Sequence, residues 1–469
     1  MHIMYFTERP YRDVPEDEVI RNRSFFGVPN RFYDAEAGAR LYNEYLDEAV
    51  YAEEVGFDAI MLNEHHGTPF CMGAVMNVEA AILARITKKA RIVLLGNPLP
   101  VVKNPVRLAE ELAEIDLISK GRLVPGWVRG AGSEQIFNQA NPAYNREYFN
   151  EAHDLVIACW TRPGPFRWEG KHFNFRFVNP WALPYQKPRP PIWIPGVISA
   201  ETVVWCARHR YPYIGLGTAL QSTVELWNLY GQVAAEEGYR AGTENFGYLQ
   251  QIHVAETEEE AQRQGKAALF GGGAANFSRP EWTLPPGYNS KEATRRLARQ
   301  ATSYGFLGIT SEKLRESQTG EGGSRPSETS KQSSDTRERL RKGQVSIEEA
   351  KAKIYANYQK AQDGLQIIIG TPKTVIPKLR LIMEVLRPGV FGLFQAQGPL
   401  STQQRMTSIR LMGQEVLPAM REIARELGIL DPFEREPGSR PHTPGTQYES
   451  LVDLEALKRA PTRDESVRV

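Results

Sequence analysis

Residues 56–66 read GFDAIMLNEHH, and this stretch predicts how the rest of the chain is arranged. A helix-ending glycine precedes four apolar residues and then the polar cluster Asn63, Glu64, His65 and His66. A short apolar run bounded in this way is typical of a buried parallel strand. In barrels built from such strands, the carboxyl ends carry the chemistry. We therefore expect this cluster at the active-site end. Because neighbouring strand residues point to opposite faces, at most one of the two histidines faces the barrel mouth.

The composition is that of an ordinary globular protein, with 469 residues of which 41% are hydrophobic and 24% charged. The net charge of +1 creates no overall field that would favour nucleic acid or an anionic membrane. No apolar run approaches the roughly 18 residues of a membrane-spanning helix, and strand-like residues follow Met1 without a signal peptide. Cys71, Cys159 and Cys206 are far apart, which suits a reducing compartment. We expect a cytoplasmic protein that binds neither nucleic acid nor membranes.

Strand and helix patterns alternate along the chain, with one unit in about every thirty to forty residues. Such alternation predicts right-handed β-α-β units and a parallel sheet. Eight such units predict an α/β fold of the (β/α)8 TIM-barrel type, rather than an open sheet. The predicted strands span residues 2–6, 59–62, 90–95, 122–128, 192–195, 213–216, 248–254 and 365–369.

Two polar segments fall outside this pattern. Residues 311–344 are too rich in Ser, Glu, Arg, Lys, Gly and Thr to bury a core, and we predict an insertion before strand 8 that is either mobile or a lid. Residues 431–469 are rich in Pro, Glu and Arg and predict a C-terminal extension that wraps a neighbour or is partly disordered. The barrel domain is therefore expected to cover residues 1–430. Alternating aromatic and polar residues at 166–177 predict a hairpin on the barrel rim.

The most recognisable motif is NPVRLAEE at residues 104–111, followed by LISKGR at 117–122 and GWVRG at 126–130. Together with the preceding E-H-H, it resembles the bacterial-luciferase-like family of flavin-dependent monooxygenases, whose members carry H-P-V-R-x-A-E, L-D-x-L-S-x-G-R and G-x-x-R-G at this spacing. The resemblance covers residues 40–220 and, more weakly, 365–425. On their helix, Arg107, Glu110 and Glu111 are expected to be structural ion-pairing groups.

The resemblance implies an eight-stranded barrel that binds reduced FMN at the carboxyl end of its strands. His65 matches the family's active-site histidine after strand 2. Gly96 and Asn97 match the turn after strand 3 that supports the isoalloxazine ring, often through an unusual cis peptide. Val128 stands where the luciferases have a reactive cysteine, so light emission is not implied.

The resemblance also implies a phosphate site made by Arg129 after strand 4 and by Ser199 and Thr202 after strand 5. Physical chemistry agrees, because a helix N-terminus offers free N–H groups and a positive dipole end. Arg129 would add a permanent charge and a fork that fits phosphate. Ser199 taken alone is explained as a helix cap. It is the combination of the motif and Arg129 that predicts phosphate binding.

His65 suits a position beside a flavin, since a histidine donates hydrogen bonds and moves protons near neutral pH. Glu64 or His66 could orient it. The same residues could instead be metal ligands in a barrel hydrolase. However, adjacent strand residues diverge, and neither a His-x-His after strand 1 nor a lysine motif completes a two-metal site. We predict no metal.

The sequence is therefore interpreted as a two-component FMN-dependent monooxygenase. The resemblance implies that a separate flavin reductase supplies reduced FMN, and that O2 reacts through a C4a-(hydro)peroxyflavin to oxygenate a small hydrophobic substrate. No G-x-G-x-x-G follows a strand, so the chain offers no NADH site of its own. Two alternatives stay open: a deazaflavin (F420)-dependent oxidoreductase, and a non-catalytic flavin-binding subunit, against which His65 and Arg129 argue. Because family barrels pair through helices, a homodimer is also implied.

Overall fold

The computed structural model describes residues 1–15, 18, 28–130, 132–197, 199–272, 287, 344, 346–356, 358–395, 398–446 and 449–461. Within these ranges, eight parallel strands form a barrel at the centre of the molecule. Their sequences are short and apolar, and most of their residues are buried. The barrel strands are β1 (His2–Phe6), β2 (Ala59–Leu62), β3 (Arg91–Leu94), β4 (Leu123–Val124), β5 (Ile194–Gly196), β6 (Tyr213–Leu216), β7 (Phe246–Val254) and β8 (Val390–Gln395).

Strand pairing gives the sheet order β4-β3-β2-β1-β8-β7-β6-β5. Tyr5 of β1, for example, lies in register with Ile60 of β2 on one side and Leu393 of β8 on the other. An isolated parallel bridge joins Gly126, just after β4, to Trp193, just before β5. This bridge brings the two ends of the sheet together, and the predicted TIM barrel is confirmed.

The predicted eighth strand is wrong. We expected residues 365–369 to form it, but Ile367–Gly370 pairs only with the far end of β7, and β8 takes the place between β7 and β1. The nine-residue β7 is long enough to pair with both, using Gly247–Ile252 for β8 and Gln251–Val254 for the additional strand. Both segments are short buried apolar runs, so pattern alone did not distinguish them.

The helices surround the barrel, and several begin at capping residues that the sequence provides. Asn104 accepts a hydrogen bond from the Arg107 N–H at 3.1 Å, and Pro105 is the first residue of its helix, as predicted. No helix in the described ranges combines the length and the apolarity needed to cross a membrane. The helices are α1 (Ala35–Glu54), α2 (Met76–Ile86), α3 (Pro105–Ser119), α4 (Gly132–Phe137), α5 (Asn145–Thr161), α6 (Ala200–His209), α7 (Leu220–Glu236), α8 (Glu258–Gly272), α9 (Ile347–Ala356), α10 (Tyr358–Asp363), α11 (Pro372–Leu386), α12 (Thr402–Leu411), α13 (Leu417–Glu426) and α14 (Leu454–Arg459).

The apolar core has two layers because strand side chains alternate between the barrel interior and the helices. Along β1, Met4 and Phe6 belong to the inner cluster, which also includes Trp193 and Phe394. Tyr5 belongs to the larger outer cluster beneath the helices. The interior is therefore a packed core, and ligand space has to be sought among the loops at the carboxyl ends of the strands.

The predicted rim hairpin is confirmed, with Phe166–Glu169 paired antiparallel to Asn174–Val178. The described part of the C-terminal extension packs on the barrel itself. Asp431 lies 4.0 Å from the N-terminal amine, and the ring of Phe433 lies 5.6 Å from that of Trp193 at the amino-terminal end of the strands. The predicted insertion at 311–344 lies outside the described residues apart from Gln344.

Candidate active site

His65 lies after β2 between two buried carboxylates. Its Nδ1 is 3.0 Å from Oε1 of Glu134 on α4, and its Nε2 is 3.9 Å from Oε2 of Glu8, which follows β1. The side chains of Glu134 and Glu8 are only 1% and 5% exposed, whereas that of His65 is 23% exposed. The parallel pairing of β1 with β2 brings their carboxyl ends together, which explains why Glu8 reaches His65. The arrangement holds one imidazole between two acidic groups that water barely reaches.

The two carboxylates change the proton affinity of His65. Burial alone would lower the pKa of its imidazole, but the hydrogen bond to Glu134 and the charges of Glu134 and Glu8 outweigh it and raise the pKa above its ordinary value. Burial also raises the pKa of Glu8, although His65 and a 2.5 Å hydrogen bond from Asn63 oppose that shift. His65 is therefore suited to holding a proton near neutral pH.

Arg9 fixes the loops that carry this cluster. Its guanidinium forms a 2.9 Å ion pair with Glu79 on α2 and donates a 2.8 Å hydrogen bond to the carbonyl of Asn63. Arg9 is buried and has a positive φ of 56°, a backbone region that residues other than glycine seldom adopt. The segment after β1 is thereby tied to the turn after β2, which bears His65.

His66 turns away from this cluster. Its Nε2 lies 3.2 Å from Oε1 of Glu64, and its ring stacks on Phe137 with centroids 5.1 Å apart. This divergence agrees with the expectation that at most one of the two histidines faces the barrel mouth. Glu64 contacts His66, while the carboxylates beside His65 are Glu8 and Glu134, two residues that the sequence analysis did not name.

The turn after β3 is held closely against the turn after β4. The Leu95–Gly96 peptide is cis, and the Asn97 N–H donates to the Gly126 carbonyl at 2.9 Å. A Cβ on Gly96 would lie 2.5 Å from that same carbonyl oxygen, so only glycine fits. Asn97 also begins a short strand, Asn97–Pro98, that pairs parallel with Trp127–Val128, so the segment after β3 is fixed in place. The predicted support of a flavin ring by Gly96 and Asn97 stays a prediction.

A cluster of hydroxyls and a guanidinium marks the start of α6. Ser199 caps this helix, accepting the Thr202 N–H at 3.4 Å. Nη2 of Arg146, on the first turn of α5, lies 3.5 Å from the Ser199 hydroxyl and 3.3 Å from that of Thr202. These groups suit an anion with several oxygen atoms, because the helix start and the arginine both favour negative charge.

Arg129 follows the short strand Trp127–Val128, and its carbonyl accepts a 3.1 Å hydrogen bond from Gln135 on α4. Helix α4 begins three residues after Arg129 and carries Glu134, so one short segment links Arg129 to the His65 cluster. The predicted contact of the Arg129 side chain with a phosphate stays a prediction. Among the described residues, no group of three His, Cys, Asp or Glu side chains is arranged to hold a metal ion.

Sequence reasoning missed Glu8, Glu134 and Arg146. Each belongs to an element other than the one that bears its partner in the site. Only the proximity of Glu134 to the GWVRG motif, and of Arg146 to the start of a helix, gave any local signal. The donor set fits an FMN-type group, with an anion site at α6 and a glycine turn and a proton-holding histidine at neighbouring strand ends.

Comparison with known proteins gives a family match over most of the chain. The family model described as luciferase-like monooxygenase matches residues 28–385. The alkanal monooxygenase alpha chain of Photorhabdus luminescens is 30% identical over 197 residues, which is 40% of this chain and 52% of that protein. The oxygenase component of the flavin-dependent trigonelline monooxygenase of Acinetobacter baylyi is 29% identical over 174 residues, covering 36% and 48% of the two chains. The chain thus spans about half the length of the curated relatives that it matches.

Solved structures share the fold. The oxygenating constituent of 3,6-diketocamphane monooxygenase from Pseudomonas putida, solved with FMN, aligns with a TM-score of 0.56 at 16% identity, over 89% of this chain and 99% of that one. An F420-dependent secondary alcohol dehydrogenase aligns with a TM-score of 0.55 at 15% identity, over 90% and 99%. At such identities the likeness shows the fold alone. The family match over most of the chain shows that this protein belongs to the luciferase-like monooxygenase family.

Proposed function

We propose that this protein is the oxygenase component of a two-component FMN-dependent monooxygenase. A separate flavin reductase supplies reduced FMN, and dioxygen and a small hydrophobic organic substrate meet it at the carboxyl end of the barrel strands. The observation that carries the proposal is His65, held between buried Glu8 and Glu134 on the barrel face that also bears the anion site. The flavin-dependent monooxygenases among its relatives support it.

Ser199, Thr202 and Arg146 are the residues that would hold the FMN phosphate, because two hydroxyls, a helix start and a guanidinium converge there. Arg129 would add a second positive charge. Gly96 and Asn97 would support the ring. When bound, reduced FMN supplies the electrons that activate dioxygen, and the protein contributes position and electrostatics.

The work of His65 is to hold and move a proton at Nε2. Glu134 accepts the Nδ1–H at 3.0 Å, which fixes the orientation of the ring and directs Nε2 toward the side of Glu8. Because both carboxylates favour the charged ring, Nε2 carries a proton for part of the time near neutral pH. Glu8, whose pKa is raised by burial, is the carboxyl group that faces Nε2, at 3.9 Å.

Aromatic side chains lie at the carboxyl ends of the strands, alongside the polar cluster around His65. The Phe70 ring lies 6.4 Å from the His65 ring, and Phe6 packs against Phe394 at the strand ends with centroids 4.7 Å apart. Aromatic side chains at the strand ends suit a substrate without charge. This is the basis for proposing a hydrophobic substrate.

Stopped-flow mixing tests the proposal. The protein is saturated anaerobically with reduced FMN, mixed with oxygenated buffer, and followed by the return of oxidised-flavin absorbance. We expect the return to be slower than for free FMN, and His65→Ala to bind FMN nearly normally but lose oxygenation. His66→Ala is the matched control, because His66 contacts Glu64 and Phe137 instead. Return at the rate of free FMN in the wild type would contradict the proposal.

A second candidate is a deazaflavin (F420)-dependent oxidoreductase. The His65–Glu134 pair can serve proton transfer during hydride chemistry as well as it serves oxygenation. Titrating the protein separately with FMN and with the deazaflavin cofactor, with bound fluorescence as the readout, distinguishes the two. Tight deazaflavin binding with reduction of a substrate in the absence of oxygen would favour this second candidate.

We also propose a homodimer that forms through α2. Val75, Val78, Ile82 and Ile86 form one apolar stripe at helical spacing, with exposures of 59%, 58%, 39% and 40%. Exposed apolar stripes of this kind mark interaction surfaces, and a two-fold dimer pairs one stripe with its copy. Light scattering should give twice the chain mass, and Ile82→Glu should reduce it to that of the monomer. A wild-type monomer at high concentration would contradict this proposal.

A further inference from the structure

The most recognisable motif of the sequence has a structural link to the turn after β3. Its last residue, Glu111, accepts hydrogen bonds from Nε of Arg107 at 2.9 Å and from Nδ2 of Asn77 at 3.0 Å. Asn77, on α2, in turn accepts a hydrogen bond from Nδ2 of Asn97 at 3.1 Å. A relay of side chains thus runs from α3 through α2 to the turn that follows β3. We call it the Asn97 relay.

The chemistry of Glu111 fixes the direction of the whole relay. An ionised carboxylate only accepts hydrogen bonds, so Asn77 must direct its NH2 group toward Glu111. The oxygen of the Asn77 amide then faces Asn97, which must donate a hydrogen bond to it from its own NH2 group. One acceptor at the end of the relay therefore sets the orientation of two amides in series.

Asn97 is where this orientation matters. The residue is 3% exposed, its N–H is already bonded to the Gly126 carbonyl, and its Oδ1 has no hydrogen-bond partner among the described side chains and backbone. The hydrogen bond to Asn77 is therefore the side-chain contact that connects Asn97 to α2. Losing it would leave a second buried polar group of the same side chain unsatisfied, which is costly.

We propose that Asn77 and Glu111 are positioning residues for the flavin, acting through the turn formed by Leu95, Gly96 and Asn97. The inference rests on the proposed function, because it assigns them to the support of the bound ring. Glu111 thereby gains a role beyond that of a structural ion-pairing group. The relay sets the position of the turn, and the turn sets the position of the ring.

Four variants test the relay. Asn77→Leu removes both hydrogen bonds at similar volume, and Glu111→Leu removes the terminal acceptor. Glu111→Gln keeps an oxygen that can accept from Asn77 and should behave as wild type. Glu114→Leu is the matched control, because Glu114 is exposed and lies on the same helix about one turn further on.

Two readouts are needed, and the first requires no cofactor. Hydrogen–deuterium exchange of the peptide that covers β3 and its turn should accelerate about fivefold in Asn77→Leu and Glu111→Leu, the scale of one net hydrogen bond. It should be unchanged in Glu111→Gln and Glu114→Leu. The second readout is the visible absorbance spectrum of bound FMN, which should shift in the two Leu variants of the relay and be restored in Glu111→Gln.

The outcomes separate this inference from the proposed function. If the exchange pattern holds but the wild type binds no FMN, the proposed function fails and the relay still positions the turn. If FMN binds and both relay variants match the wild type in exchange and spectrum, the inference is overturned. If thermal unfolding shows that Asn77→Leu does not fold, the inference is tested by comparing Glu111→Leu with Glu111→Gln.

Discussion

Replacing Glu134 by Gln tests how the site controls the proton on His65. The substitution keeps an oxygen that can accept the Nδ1–H at 3.0 Å but removes a buried negative charge. A hydrogen bond to a charged partner is worth about 1 kcal/mol more than one between neutral partners. We therefore expect the ratio of charged to neutral imidazole to fall about fivefold at a given pH and the pKa of His65 to decrease.

The assay is the pH dependence of His65 itself, followed by nitrogen-detected NMR of histidine-labelled protein, together with the pH profile of substrate turnover. In Glu134→Gln the His65 titration should move to lower pH, and turnover on the alkaline side should fall earlier than in the wild type. Glu64→Gln is the matched control, because Glu64 contacts His66. Equal effects of the two substitutions on His65 would refute the reasoning.

Stability provides an independent check of the same shift. Because the folded-state pKa of His65 is raised above 6.5, its protonation stabilises the folded protein below that pH, and this contribution is lost as pH rises through the folded value. The difference in free energy of unfolding between wild type and Glu134→Gln should therefore be largest between about pH 5 and 6.5 and should shrink in alkali. A difference in free energy of unfolding that grows with pH would contradict a raised pKa of His65 in the folded protein.

Three further predictions address other parts of the molecule. Arg146→Gln should weaken FMN binding roughly 10- to 100-fold while leaving the binding of riboflavin, which lacks the phosphate, unchanged. If calorimetry shows equal losses of affinity for FMN and riboflavin, Arg146 does not bind the phosphate. Gly96→Ala should lower the free energy of unfolding by about 1–3 kcal/mol in urea titrations, because its Cβ would meet the Gly126 carbonyl at 2.5 Å. Burial lowers the pKa of His253, so the folded protein favours its neutral form. The free energy of unfolding should therefore decrease as pH falls below about 6.5. His253→Gln should reduce this decrease in acid.

The fold was predictable because the barrel follows from local patterns. Each short apolar run after a helix-ending glycine or polar turn became a strand, and the alternation with helices left a closed parallel sheet as the outcome. The error at the eighth strand has a physical origin. Ile367–Gly370 and Val390–Gln395 are both short, apolar and buried, and the long β7 pairs with both of them, whereas Val390–Gln395 is the one that pairs with β1.

The site was predictable only in part. His65, Gly96 and Ser199 sit at ends of strands or starts of helices, and such positions can be read from the sequence around them. Glu134 and Arg146 cannot be found in this way. Their roles depend on distances across the barrel mouth to residues about 50 to 70 positions away in the chain, which strand and helix patterns do not encode.

The charges around His65 explain why Glu8 is the group most ready to take up a proton. Arg9 is 2.9 Å from Glu79, and His65 is closer to Glu134 than to Glu8, at 3.0 Å against 3.9 Å. The three carboxylates thus share two cations, and burial makes a third negative charge costly, which raises the pKa of Glu8. A proton taken up there lies near the His65 ring, whose Nε2 is 3.9 Å from Oε2 of Glu8. The cluster therefore keeps a second acidic group beside His65 in surroundings that bulk water barely reaches, as a site that must keep a reactive cofactor dry requires.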